Sequence, residues 1–217
     1  VKEFRARGWT TLAGLLALAF ANLAIAAPPQ GVNGPSVDSI REHAAQLAKY
    51  RDLLNDKDPT IRLSAFNEMA NSSDPALQEL AYEVAFASSE MSMRSLALRA
   101  RLTHWSSFSF DVEGVSGNEQ YTKMMPANVT YHAGGADQAR GILFIADRPI
   151  QNPADAAGEV AASGLEVIVS IRRSPVCSGR MRLDDTGSLS GTLTCTPPGA
   201  GVGAASTLAV KARTRLY

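Results

Sequence analysis

Cys177-Ser178-Gly179-Arg180-Met181-Arg182-Leu183-Asp184-Asp185-Thr186-Gly187-Ser188-Leu189-Ser190-Gly191-Thr192-Leu193-Thr194-Cys195 reads as a single β-hairpin. Asp184 to Ser188 has the composition of a tight turn, and a three-residue loop puts Gly187 in the left-handed conformation that glycine adopts without a steric penalty. That turn sets the register. Leu183 then faces Leu189, Met181 faces Gly191, Gly179 faces Leu193 and Cys177 faces Cys195. All eight share one parity and so one face of the sheet. Turn, apolar alternation and cysteine pair agree, so the spacing predicts a cross-strand Cys177–Cys195 disulfide. Closing a loop of this size contributes about 3 kcal/mol. The pair is far from Cys-x-x-Cys spacing and is expected to be buried, which argues against redox activity.

The same period of two extends on both sides. Phe108, Phe110 and Val112 alternate with polar residues, as do Val129, Tyr131 and Ala133, then Leu165, Val167, Val169 and Ile171, and finally Leu208, Val210, Ala212, Thr214 and Leu216. Ile142 to Ala146 is apolar throughout, as a strand buried on both faces should be. Gly, Pro and Asn cluster between these runs. Several short strands with no helical pattern between them mean a small sandwich or barrel. The expectation is an all-β sandwich over residues 106–217. An outer-membrane barrel is disfavoured. Strands of such barrels usually carry apolar residues in step with a terminal aromatic, whereas Arg215, Arg213 and Lys211 share the parity of Tyr217.

Residues 36–105 follow a different rule. Ser39-Ile40-Arg41-Glu42 has the form of a capping box, and Ile40, Ala44, Leu47, Ala48 and Leu54 follow at helical spacing up to the polar stop at Asn55–Asp58. Asp58-Pro59 returns as Asp74-Pro75, a period of 16. Ile61, Leu77 and Met93 correspond. So do Ala65, Ala81 and Ala97; Phe66, Tyr82 and Leu98; and Ala70, Phe86 and Leu102. Asp accepts a hydrogen bond from the first free amides, and Pro at the first helical position gives up a donor the helix does not use. Glu90-Met91 stands in the third copy.

The stretch Leu53-Leu54-Asn55-Asp56-Lys57-Asp58-Pro59-Thr60-Ile61-Arg62-Leu63-Ser64-Ala65-Phe66 resembles a HEAT-type helical repeat, with its Leu pair, Asp-Pro turn, aliphatic-Arg pair and small residue. The resemblance extends over residues 53–102 and implies a protein-binding scaffold surface without catalysis. A small helical bundle, in which the repeat serves packing alone, is the competing reading. The fold class expected for the chain is therefore α+β: an antiparallel helical repeat or bundle, then a disulfide-stapled β-sandwich.

Ahead of both lies a basic head (Lys2, Arg5, Arg7), an apolar run from Leu12 to Ala21, and small residues at Ala24 and Ala26. This is the order of parts in a secretory signal peptide, residues 1–26, followed by a linker over 27–35. It predicts a periplasmic or secreted protein, with no membrane insertion after cleavage. Lys+Arg and Asp+Glu are balanced at 21 each. Loss of residues 1–26 leaves the chain near −2, with no global basic field for nucleic acid or anionic lipid. Arg172, Arg173, Arg180, Arg182, Arg213 and Arg215 nonetheless concentrate in the β half.

Chemistry-bearing patterns are sparse. His43, His104 and His132 are too far apart in sequence for a zinc pair, and neither a nucleophile elbow nor a phosphate or calcium loop is present. Asp184-Asp185 reads as turn chemistry, and Glu79 with Glu83 as a solvated helix face. Met91, Met93, Met124 and Met125 lack the clustering of a copper site. No catalytic residue, metal or cofactor is therefore expected. The expected function is a non-catalytic protein-binding or adaptor module of the bacterial cell envelope. Two alternatives remain. A glycan- or polymer-binding module would need exposed aromatics, with Tyr121 and Tyr131 as candidates. A hydrolase would need a site assembled from scattered residues such as His132 with Asp147 or Glu166.

Overall fold

In the computed structural model, residues 36–200 and 206–216 are described. The expected signal peptide and linker fall within residues 1–35, which with residues 201–205 and Tyr217 lie outside them. The chain separates into two units, residues 1–40 and 41–217. Of the first, only Ser36–Ile40 is described. It opens helix α1 (Val37–Leu54), and the Ser36 hydroxyl accepts a hydrogen bond from the Ser39 amide at 3.1 Å. Ser36 is thus the cap. The serine expected to cap, Ser39, sits one turn inside the helix, because either serine can serve and the helix extends to the earlier one.

Helices α2 (Pro59–Ala70), α3 (Pro75–Ala87) and α4 (Met91–Thr103) each correspond to one 16-residue period. Asp58 caps α2 through the Thr60 amide at 2.8 Å, and Asp74 caps α3 through Ala76 at 2.9 Å. Glu90, the third copy's departure from Asp, makes no capping bond and instead pairs with Arg62. The helices stack in order, α2 on α3 and α3 on α4. Phe66, Tyr82, Leu98 and Leu102 are fully buried, with the Phe66 and Tyr82 rings edge to face at 5.8 Å.

The β half is a closed barrel, which corrects the expected sandwich. Its strands are β1 (Ser107–Ser116), β2 (Asn128–Asp137), β3 (Ile142–Ala146), β4 (Gly158–Ser163), β5 (Glu166–Ile171), β6 (Val176–Leu183), β7 (Ser188–Thr196) and β8 (Leu208–Arg215). Each pairs antiparallel with the next, and β8 returns to β1, with Asp111 opposite Arg213 and Val115 opposite Val210. Alternation marks which residues face a core but not whether the first and last strands meet, so a sandwich and a barrel look alike in sequence. Strand β4 is a further strand that the sequence pattern does not reveal. Its Gly158, Ala161 and Ala162 give a weak pattern, and pairing with β3 and β5 makes it a strand. A short helix α5 (Glu119–Thr122) lies between β1 and β2.

The hairpin forms as its spacing requires. Leu183–Leu189, Met181–Gly191, Gly179–Leu193 and Cys177–Cys195 are all cross-strand partners. Gly187 has φ 71°, and the Cys177–Cys195 disulfide is present. The shared face of the hairpin is the barrel interior. There it meets Phe108, Phe110, Tyr131, Leu143, Ile145, Val160, Val169 and Val210, all almost inaccessible to solvent. The interior is filled by side chains, and Gly191 is part of that fit. A Cβ there would lie 2.1 Å from the Arg180 carbonyl oxygen. Apolar inside and polar outside is the reverse of a transmembrane barrel. No helix among the described residues is long and apolar enough to cross a membrane.

The up-and-down order puts the β2–β3, β4–β5 and β6–β7 turns and the end of β8 at one end of the barrel, and helix α4 lies across it. Three arginines of α4 reach backbone carbonyls there. Arg94 donates to Asp184 O at 2.7 Å, Arg99 to Gln138 O at 3.3 Å and Arg101 to Leu216 O at 2.6 Å. Trp105 follows, its ring 5.9 Å from that of Phe108. One continuous cluster of buried side chains takes in both the helices and the barrel interior.

Two buried tyrosines couple this core to pH. Burial pushes the Tyr82 phenol up to about 12, the Arg101 guanidinium above its ring opposing the shift. Burial also pushes Tyr131 up, aided by Asp147. Both phenols are thus neutral in the fold at a pH where they ionise in the unfolded chain. Their stabilisation is complete below pH 10 and is lost as pH rises through the folded-state values. Urea midpoints measured between pH 9 and 12 are expected to fall. The Tyr82→Phe variant should show a shallower fall, and an unchanged slope would contradict the assignment.

Candidate functional site

The helical half carries a groove between α1 and α2. Tyr50 and Leu53 form one wall and Ile61, Ala65 and Met69 the other, with Thr60, Ser64 and Glu68 on the rim, around a hollow of about 370 Å³. The sequence repeat shows what is unusual here. Met93, the counterpart of Ile61 in α4, is 2 % exposed and Leu77 in α3 is half-buried, whereas Ile61 is 40 % exposed. Ala81 and Ala97 are fully buried, and Ala65 is not. Helix α1 packs chiefly through its last turns. Leu54 is buried, Leu47 and Tyr50 are half-buried, and Leu53 is exposed. Positions closed over in α4 are therefore more open in α2. A second hollow of about 460 Å³ lies near Asp56, Arg62, Glu83, Ser88 and Glu90. Its charges are largely matched, because Arg62 pairs with Glu90 and also donates to the Lys57 carbonyl at 3.0 Å.

The candidate glycan-stacking aromatics are not surface platforms. Tyr131 points into the barrel, 1 % exposed, and its hydroxyl donates to Pro175 O at 2.8 Å. Tyr121 is half-buried against the core. An aromatic in an alternating strand goes to whichever face the register dictates, and for β2 the face holding Tyr131 is the inner one. The scattered catalytic set forms no bonded group: the register puts His132 opposite Ala146, next to Asp147, but among the described residues His132 makes no hydrogen bond or ion pair with Asp147 or Glu166. His132 is exposed on the outer face of β2. Asp147 pairs with Arg173 at 3.7 Å, while Glu166, on β5, pairs with Arg180 at 3.6 Å. Glu79 and Glu83 are engaged by Arg101 at 3.1 Å and Arg51 at 3.9 Å. His104 bonds the Ala100 carbonyl at 2.7 Å. No group of three or more His, Cys, Asp or Glu that could hold a metal occurs among the described residues.

Asp184 organises the hairpin turn. Its carboxylate accepts from the Thr186 amide at 2.8 Å, the Thr186 hydroxyl at 2.7 Å and the Ser188 amide at 2.9 Å. Partial burial would raise its pKa, but these bonds and Arg213 outweigh that and hold it below the usual carboxylate value. The stabilisation is thus present above the unfolded-state pKa and is lost as pH falls through the folded one. Asp184→Ala is expected to cost about 1–2 kcal/mol at pH 7 and clearly less at pH 2–3, read from denaturant midpoints. A cost independent of pH would contradict the role of the charge.

The sequence-flagged arginines divide. Arg180, Arg182, Arg213 and Arg215 share the outer wall of β6 and β8, whereas Arg172 and Arg173 lie in the β5–β6 connection at the opposite end. No protein-family model matches the chain, and neither a characterised protein nor a solved structure shows significant similarity to it.

Proposed function

We propose that the protein is an exported, non-catalytic binding module that takes a partner protein on its helical half. The observation that carries this reading is the open α1–α2 groove, where Ile61 is exposed and Ala65 half-buried although their α4 counterparts Met93 and Ala97 are buried. An apolar trough with a polar rim suits an amphipathic helix presented by the partner. The filled barrel interior leaves no comparable room for a small ligand, and the barrel serves as the platform against which the helices are held by Arg94, Arg99 and Arg101. Export rests on the N-terminal sequence, and the Cys177–Cys195 disulfide is compatible with an oxidising compartment.

The test is a pull-down from the native envelope fraction, using residues 27–217 and the Ile61→Glu variant side by side. A protein held in stoichiometric amount by the parent chain and lost with Ile61→Glu is the expected result. Capture that survives the variant, with its thermal melt unchanged, overturns the groove as the site.

A further inference from the structure

The outer wall of β6, β7 and β8 gathers five cations of the β half. Arg180 and Arg182 project from β6, and Lys211, Arg213 and Arg215 from β8, all at outward-facing positions. In register, Arg180 stands opposite Thr192 and Thr192 opposite Lys211. In the next row Arg182 stands opposite Ser190 and Ser190 opposite Arg213. Neighbouring cations are thus about 7 Å apart along a strand and about 10 Å apart across β7. Between the two cationic strands, β7 presents hydroxyls: Ser190, Thr192 and Thr194.

Acids stand only at the margins. Glu166 takes Arg180 at 3.6 Å, and Glu113 and Asp184 take Arg213 at 3.7 and 3.4 Å. Asp111 lies opposite Arg213 on β1. Among the described residues, Arg182, Lys211 and Arg215 make no ion pair. At the end of the wall nearest α4 are two shallow hollows of about 350 Å³. One is lined by Arg94, Arg182, Ser190 and the acids Asp184 and Asp185, the other by Thr186, Ser188, Arg213 and Arg215.

Structural needs do not account for this arrangement. Exposed Lys and Arg often guard open sheet edges, but a closed barrel has none. Like charges held on one face repel and cost stability, and the chain as a whole is electrically balanced, so the concentration is local.

We propose that this wall binds an anionic polysaccharide, an extended chain bearing carboxylate, sulfate or phosphate groups. Rows of regularly spaced cations match a polymer with repeating charge better than a single small anion, and the hydroxyls of β7 lie where sugar hydroxyls pass between them. Single-stranded nucleic acid would call for aromatic stacking platforms, and the outward positions of β7 and β8 carry none. An anionic membrane would call for an amphipathic helix or a broad apolar rim, where the wall has only Ile168 and Val176 beside it. This surface is separate from the helical groove, and either can fail without the other.

The experiment measures retention of residues 27–217 on immobilised polygalacturonate and dextran sulfate, with neutral dextran as reference, from 50 to 300 mM salt. Retention on both anionic polymers, falling as salt rises and absent on dextran, is expected. The triple variant Arg182→Gln/Lys211→Gln/Arg215→Gln should bind about tenfold more weakly at low salt and show a flatter salt dependence. A charge-matched control, Lys49→Gln/Arg148→Gln/Arg172→Gln, should bind as the parent does. The single reversal Arg182→Glu gives a second reading should the triple variant melt early. Equal loss in the control, or no loss in either wall variant, overturns the proposal. So does tighter binding to a single-stranded oligonucleotide or to anionic phospholipid vesicles than to either glycan.

Discussion

Phe108→Ala is expected to lower the unfolding free energy by about 3–5 kcal/mol, the range for removing a fully buried aromatic ring from a packed interior. Phe108 is 0 % exposed. Its ring lies 5.9 Å from Trp105 on one side and 5.9 Å from Phe110 on the other, and its backbone is in register with Tyr131. It therefore stands where the chain passes from the helices into the barrel. The cavity would open in the cluster the two halves share, so the loss should register in both. Urea unfolding followed by Trp105 fluorescence and by far-ultraviolet circular dichroism should show coincident transitions, shifted together with the slope preserved. A loss below about 1 kcal/mol would mean that the interior is not packed at this point. Two separated transitions would mean that helices and barrel unfold independently.

Removing the Cys177–Cys195 bond is expected to cost about 3 kcal/mol, because the 18-residue separation closes a loop that the unfolded chain would otherwise explore. The measurement compares the parent under oxidising and reducing conditions with Cys177→Ala/Cys195→Ala. Reduction should lower the parent's midpoint and leave the double variant unmoved. The hairpin has its own turn chemistry at Asp184 and Gly187 and its own apolar register, so the barrel is expected to persist without the bond in a less stable form. A parent midpoint indifferent to reductant would show that the bond does not constrain the unfolded state.

The candidate sites were unequally legible. Ile61 and Ala65 belong to a repeat visible in the sequence, but their exposure is not. Their counterparts Met93 and Ala97 are buried in α4, and the packing of α1 by its last turns leaves α2 more open. The cations at Arg180, Arg182, Arg213 and Arg215 were visible as a count. Their alignment in two rows depends on β8 lying beside β7, and Lys211 joins them for the same reason. Tyr131 shows the opposite case, an aromatic open to either reading that the register of β2 turned inward. The latches of α4 carried no sequence signal, since Arg94, Arg99 and Arg101 look like any solvated helix face until the barrel turns are placed beneath them.

By itself, then, the sequence determined what is set by neighbours in the chain. Helices α2 and α3 start at their Asp-Pro caps, the hairpin takes its register from the turn at Gly187, and that register brings Cys177 and Cys195 together. These follow from backbone sterics and short-range hydrogen bonds, whose signals lie within a few residues of one another. Only the tertiary structure decided that β8 closes onto β1, that Gly158–Ser163 becomes a strand, that α4 lies across the barrel end and that α2 keeps an open face. Each of these depends on which distant surfaces meet. An alternating pattern specifies that a residue is buried, but not against what.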